Sequence, residues 1–301
     1  MLRSKFIGCL VGSAVGDALG RSSEGLWFSE AKIERFSGRW TDDTHMMIGV
    51  AESLIATEGF DGSHMAQTFI KNYEREPWRG YASGPPRVFR WIKSGMAWNE
   101  ASKRLFGGSG SYGNGAAMRV APVGLFYHDD LEQLRAVVYG QSQITHSHEL
   151  GKEGALLQAY AVALATNANP PFELDSSAFL KKLKGFTRNE VYKQKLERAW
   201  ELLGETNRLR VVRELGNGVE AHNSVPTAIY SFLRNPNSFE ACVLYAISLG
   251  GDTDTIGAMT GAISGAYHGV EAIPERWKSK LEGREYIEKL AGKLWGIKSR
   301  L

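Results

Sequence analysis

The sequence predicts an all-α protein. Apolar residues recur at three- and four-residue intervals through most of the 301-residue chain, sustained period-two alternation is almost absent, and turn-forming clusters fall between the periodic segments. The first segment, "FIGCLVGSAVGDALG", follows Arg3 and Lys5 and imitates a secretory leader, but Asp17 and its glycines spoil that pattern. Next, Met46, Ile48, Val50, Leu54 and Ile55 mark a helix that stops at "GFDG", and "SGPPR" and "GGSGSYGNG" break the chain again. Leu131, Leu134, Val137 and Val138 predict another helix. "ALLQAYAVALA", at residues 155–165, carries Gln158 and is shorter than the roughly 18 apolar residues a membrane span needs. After the break at "TNANPP", further helices are marked by Leu196, Trp200 and Leu203, and by Ile229, Phe232 and Leu233 before "RNPNS". Tyr286, Leu290 and Leu294 mark the last one, beyond "EAIPE". The expectation is a dozen or so helices, and with no low-complexity linker residues 1–301 read as a single domain.

Composition narrows the function classes. A net charge of +3, with its lysines and arginines scattered, lacks the stripe that nucleic-acid binding requires. The one basic cluster, residues 179–200, interleaves charge with apolar residues as a solvated helix face does. Cys9 and Cys242 each sit in an apolar run and read as reduced core residues of a soluble, cytoplasmic, unprocessed protein without membrane partners.

Two glycine ladders stand out. Gly8, Gly12, Gly16 and Gly20 are spaced by four, as are Gly257, Gly261, Gly265 and Gly269, which on a helix makes a flat ridge along one face. Each mid-helix glycine costs about 1 kcal/mol relative to alanine, so close backbone approach by a neighbour must offset it. We expect the two ladders to pack near each other; the alternative is that each meets some other element. The polar residues between the glycines exclude a transmembrane dimer face.

Two acidic clusters carry the chemistry. "WTDDTHMM" places Thr41, Asp42, Asp43 and Thr44 at the start of a helical pattern, and "GGDTDT" places Asp252, Thr253, Asp254 and Thr255 before another. One acid before an apolar run is an ordinary helix cap, but capping does not explain the adjacent pair or the recurrence of the same vocabulary. Carboxylates and hydroxyls converging from two helix starts would supply the all-oxygen environment of Mg²⁺ or Mn²⁺, with acids shared between two ions.

The glycine-rich "FGGSGSYGNGAAMRVAP" formally matches a dinucleotide fingerprint at Gly108, Gly110 and Gly113, yet no strand precedes it and no βαβ unit surrounds it. Exposed backbone N–H groups leading into a helix would still cradle phosphate, with Tyr112 placed to stack on a base; a plain flexible loop is the alternative. "THSHELG" contains His146 and His148, but no third ligand at zinc spacing. One histidine there fits a ligand contact, and at least one fits a structural role.

In this order, "GCLVGSAVGDALGRSSE", "WTDDTHM", "GSYGNGAAMRVAPVGLF", "THSHELGKEGALLQAYAVA" and "GGDTDTIGAMTGAISGAYHG" resemble the ADP-ribosylglycohydrolase family, from residue 6 to about residue 270. The resemblance implies an orthogonal multi-helix bundle with a di-metal site, two Mg²⁺ or Mn²⁺, in a central cleft that holds ADP-ribose. It implies that Thr41, Asp42 and Asp43 form one ligand group and Asp252, Asp254 and Thr255 the other. Glu24 matches an acidic residue over the metals and is the expected proton shuttle, with Asp43 and Asp252 as further catalytic groups. Ser111, Tyr112, Gly113, Asn114 and Gly115 match a loop that holds the nucleotide, and His146 matches a histidine beside it. Residues 76–91 fall where the family varies and are expected to shape the mouth for the leaving group. The implied reaction is hydrolysis of ADP-ribosylated protein by a monomer, with ADP-ribose as product and the arginine linkage first among the candidates. Serine-linked ADP-ribose, O-acetyl-ADP-ribose and modified nucleic acid follow. Two rivals remain: an inactive ADP-ribose-binding relative, which should have lost one acidic cluster, and a di-metal phosphohydrolase, which would release phosphate or AMP.

Overall fold

The computed structural model describes residues 1–25, 36–168 and 174–301. Among them the helices are α1 (Leu2–Gly20), α2 (Asp42–Thr57), α3 (Gly62–Arg75), α4 (Gly84–Lys93), α5 (Ala121–Phe126), α6 (Leu131–Gln143), α7 (Glu149–Asn167), α8 (Ser176–Phe186), α9 (Glu190–Glu201), α10 (Arg208–Leu215), α11 (Ala221–Arg234), α12 (Phe239–Ile247), α13 (Thr253–His268), α14 (Glu275–Lys278) and α15 (Arg284–Lys298). No strand occurs among the described residues, only an isolated bridge between Gly113 and Glu220. The all-α expectation therefore holds.

Helix starts follow local chemistry. Asp61, Asp130, Asp175, Asn189, Asn207 and Ser238 each occupy a cap position and accept a first-turn amide that has no intrahelical partner. Two expectations need correction. The basic stretch 179–200 is not one helix face but two helices, α8 and α9, separated where Asn189 caps the second. Leu203 lies in the turn after α9 rather than on it. The "TNANPP" break runs from the end of α7 into residues 169–171, which lie outside the described residues.

The two glycine ladders meet. A Cβ on Gly8 would lie 2.5 Å from the Gly265 carbonyl oxygen, one on Gly12 2.4 Å from that of Gly261, and one on Gly16 2.0 Å from that of Gly257. The reciprocal distances, from Gly257, Gly261 and Gly265, are 2.6, 2.1 and 2.0 Å. Real Cβ atoms do not approach this closely, so α1 and α13 pack antiparallel, backbone on backbone, and only glycine fits the seam. Gly269 departs from the ladder: with φ 84° it ends α13 instead of extending it. Because α1 and α13 run in opposite directions, the end of α1 lies beside the start of α13; α13 is packed on its other sides by α7, α11 and α12, and α1 by α15.

Candidate active site

The end of α1 and the starts of α2 and α13 converge on a cavity of about 490 Å³. Thr41 caps α2 by accepting the Asp43 amide, but the main cap comes from a neighbouring helix. The Asp17 carboxylate of α1 accepts the Thr41 N–H at 3.0 Å and hydroxyl at 3.0 Å, and the Thr44 N–H at 3.0 Å and hydroxyl at 2.6 Å. With the first-turn donors satisfied from outside, Asp42 and Asp43 are free to face the cavity. Sequence reasoning missed Asp17. Its signal was a lone acid in an apolar, glycine-laddered segment.

The start of α13 separates capping from chemistry more sharply. Asp252 sits at the cap position and makes no side-chain capping bond. Its carboxylate instead accepts from the Asn114 side-chain amide, which also donates to Ser224 Oγ at 3.0 Å. Gly250 and Gly251, at φ 69° and 76°, turn the chain into this position, and the Asp252 N–H donates to the Asn217 carbonyl at 2.8 Å. The Gly25 N–H donates to the Gly251 carbonyl at 2.9 Å, which holds the neighbouring Glu24 against the same loop.

These placements concentrate negative charge. Carboxylate oxygens of Asp17, Asp43 and Asp254 lie within 4.8 Å of one another, as do those of Glu24, Asp252 and Asp254. Burial, then the charge of Asp17, pushes Asp42 up to about 7. Asp43 and Asp254 are raised well above the usual carboxylate range, by burial first and then by each other's neighbouring acids, and Asp252 and Glu24 are raised too. No lysine or arginine lines the cavity among the described residues, and Asp43 Oδ1 is buried without a hydrogen-bond partner. Carboxylates so arranged ionise together only with cations between them, and an all-oxygen set suits hard divalent ions. The residues present therefore fit the metal site that the sequence implied.

The expected nucleotide loop lines the same cavity, with adjustments. Every site residue expected from the sequence borders it: Glu24, Thr41, Asp42, Asp43, Ser111 to Gly115, His146, Asp252, Asp254 and Thr255. The anticipated helix start after the glycines is only a 3₁₀ turn, Asn114–Ala116. Nor are the first amides free: the Gly113 N–H donates to Ser111 Oγ at 3.2 Å and the Asn114 N–H to the Val219 carbonyl at 2.9 Å. The loop thus presents shape and side chains more than an open amide cradle. Tyr112 is 48 % exposed and Phe106, a non-glycine residue at φ 51°, is 58 % exposed, so two aromatic faces border the cavity. Phe106 opens the quoted glycine-rich stretch but carries no periodic signal of its own, and its role was missed. His148 caps α7, its ring accepting the Leu150 N–H at 3.1 Å, which is the structural role one of the two histidines was expected to fill.

Of residues 76–91, Gly80, Ala82, Ser83, Gly84 and Pro85 reach the cavity wall. Arg79 anchors this wall: its guanidinium stacks 3.7 Å over Trp40 and grips both Glu282 oxygens at 3.0 and 2.8 Å.

Comparison with known proteins bears on this geometry. The sequence model of the family described as ADP-ribosylglycohydrolase matches residues 1–300. Human ADP-ribosylhydrolase ARH3 is 37 % identical, the alignment covering 97 % of this chain and 93 % of that protein. ADP-ribosylarginine hydrolase Tri1 of Pseudomonas putida (strain GB-1) is 26 % identical, over 96 % of this chain and 77 % of that protein. A solved structure titled ADP-ribosylglycohydrolase-related protein complex superposes with a TM-score of 0.79 at 28 % identity, covering 99 % of each chain.

Proposed function

This chain belongs to the ADP-ribosylglycohydrolase family, and we propose that it is a hydrolase that releases intact ADP-ribose from a modified side chain with the help of two divalent cations, Mg²⁺ or Mn²⁺. One observation carries the reading. Asp43, Asp252, Asp254 and Glu24, with the buried Asp17 behind Asp43 and Asp254, border a cavity whose other side is an aromatic-edged, glycine-rich loop. Retention of both acidic clusters speaks against an inactive binding relative. When bound, the cations supply the positive charge that polarises a sugar hydroxyl and acidifies water.

The chain's own residues do the rest. Thr41, Asp42 and Asp43 from α2, with Asp252, Asp254 and Thr255 from α13, hold the ions. Asn114 orients Asp252, and Asp17 orients the α2 group. Tyr112 and Phe106 offer ring faces to a base, and Ser111 to Gly115 with His146 surround the phosphates and ribose. Cleavage at the anomeric carbon generates an oxocarbenium-like centre, so a proton must reach the departing atom and another must leave water. Glu24, raised by partial burial and by Asp252, is the group at the cavity edge suited to that exchange. The reading takes the protein as a cytoplasmic monomer, in keeping with two free buried cysteines.

The linkage turns on the wall 80–85. An arginine leaving group carries a guanidinium, for which a carboxylate or aromatic face at the mouth would be the natural partner. This wall itself offers small neutral groups, Gly80, Ala82, Ser83, Gly84 and Pro85, and the carboxylates and rings that line the cavity, Glu24, Glu220, Phe106 and Tyr112, come from other segments. That favours an oxygen-linked substrate such as serine-ADP-ribose over the arginine linkage, which the relative Tri1 supports by its name at lower identity. Parallel digestion of serine- and arginine-ADP-ribosylated peptides tests the choice. Faster release from the serine peptide is expected; release from the arginine peptide alone would return the assignment to arginine.

A further inference from the structure

Arg119 is wholly buried, yet among the described residues its hydrogen-bond partners are Gln141, Thr145 and the Met46 sulfur, and none is a carboxylate. A buried guanidinium with only neutral partners is expensive, so its contacts call for an explanation. Its Nε donates to Gln141 Oε1 at 2.8 Å and its Nη2 to the Gln141 carbonyl at 2.8 Å. Gln141 in turn donates to the Ala116 carbonyl at 3.1 Å, which ties the cavity loop to the end of α6. The remaining nitrogen, Nη1, donates to Thr145 Oγ1 at 2.8 Å, and Thr145 Oγ1 lies 2.8 Å from His146 Nδ1.

The hydroxyl of Thr145 has one hydrogen and, among the described residues, two partners. Arginine can only donate, so the oxygen accepts from Arg119 and its hydrogen is left for the histidine. Only with His146 Nδ1 as the accepting nitrogen does that buried hydrogen find a partner among the described residues, which places the ring proton on Nε2. That nitrogen makes no hydrogen bond with the described residues; it lies beside Gly113 and Gly115 on the cavity wall. We propose that Arg119, acting through Thr145, is a positioning residue that fixes His146 as the Nε2–H tautomer, so that His146 presents a hydrogen-bond donor to an acceptor oxygen of the ligand. The same surroundings keep the ring uncharged: burial and the Arg119 charge lower its pKa to about 3. His146 is thereby a fixed donor for a phosphate or ribose oxygen, and the acid–base work is left to Glu24. The identity of the acceptor rests on the functional reading above; the relay itself does not.

The test uses ¹⁵N spectra of the histidine rings of the full chain and the affinity for ADP-ribose. Wild type should show an unprotonated, hydrogen-bonded His146 Nδ1. Thr145→Val should move that resonance towards a free imine nitrogen and weaken ADP-ribose binding on the order of 10-fold. Thr145→Ser, which keeps the hydroxyl, should restore both. A protonated Nδ1 in wild type, or wild-type affinity in Thr145→Val, would overturn the proposal. The predicted spectra in a protein that releases no ADP-ribose would count against the functional reading and leave the relay standing.

Discussion

Replacing Gly16 with alanine tests the link between the glycine seam and the acidic site. The new Cβ would lie 2.0 Å from the Gly257 carbonyl oxygen and 2.4 Å from its carbon, both backbone atoms with no rotamer to yield. Restoring ordinary contact separates α1 from α13 by about 1 Å or more, a gap that forfeits a quarter to a half of each contact along the seam. We set the overpacking penalty at about 3 kcal/mol. Alanine returns about 1 kcal/mol of helix propensity. The net loss is about 2 kcal/mol, which at about 2.1 cal/mol/K per residue over 301 residues is a fall in Tm of roughly 3 °C. Because Asp17 follows Gly16, and Asp254 begins the facing helix, the same displacement should weaken Mg²⁺ binding. Gly296→Ala is the control: its Cβ would meet nothing within 4 Å on α15, so it should stabilise by about 0.5–1 kcal/mol. Thermal unfolding by calorimetry, with and without Mg²⁺, reads both variants. A Gly16→Ala protein as stable as wild type, or one that tracks Gly296→Ala, would refute the argument.

Two further outcomes follow from the acidic cluster. Asp42 is held near 7 in the fold against an ordinary 3.8, so the folded chain binds this proton more tightly than the unfolded one and loses stability as pH rises through about 7. Metal-free protein should unfold at a lower temperature at about pH 8 than at about pH 6.5, and saturating Mg²⁺ should remove the difference; a Tm that rises over this window without metal would contradict the assignment. Asp252→Ala should lower turnover on the order of 1,000-fold with unchanged circular dichroism. Full activity of that variant after metal depletion would remove the two-metal account.

Much of this site was legible before the structure because its signals are local. Paired acids at a helix start depart from what capping needs, and a four-residue glycine spacing is informative wherever helices are long. What stayed hidden depends on partners or backbone conformations that the local pattern does not show. Asp17 reads as a helix-interior acid until Thr41 and Thr44 fold onto it. The Gly113 and Asn114 amides look free until Ser111 and the Val219 carbonyl take them. Arg119 sits in an alanine-rich stretch whose sequence says nothing of Gln141 or Thr145. Phe106 reaches the cavity through a left-handed backbone that no propensity predicts.

The most direct test of the central claim is the mass of the product released from ADP-ribosylated peptide with Mg²⁺, with Mn²⁺ and with chelator. The account predicts intact ADP-ribose with either metal and none with chelator. Release of AMP or phosphate, or release of ADP-ribose undiminished by chelator, would contradict it.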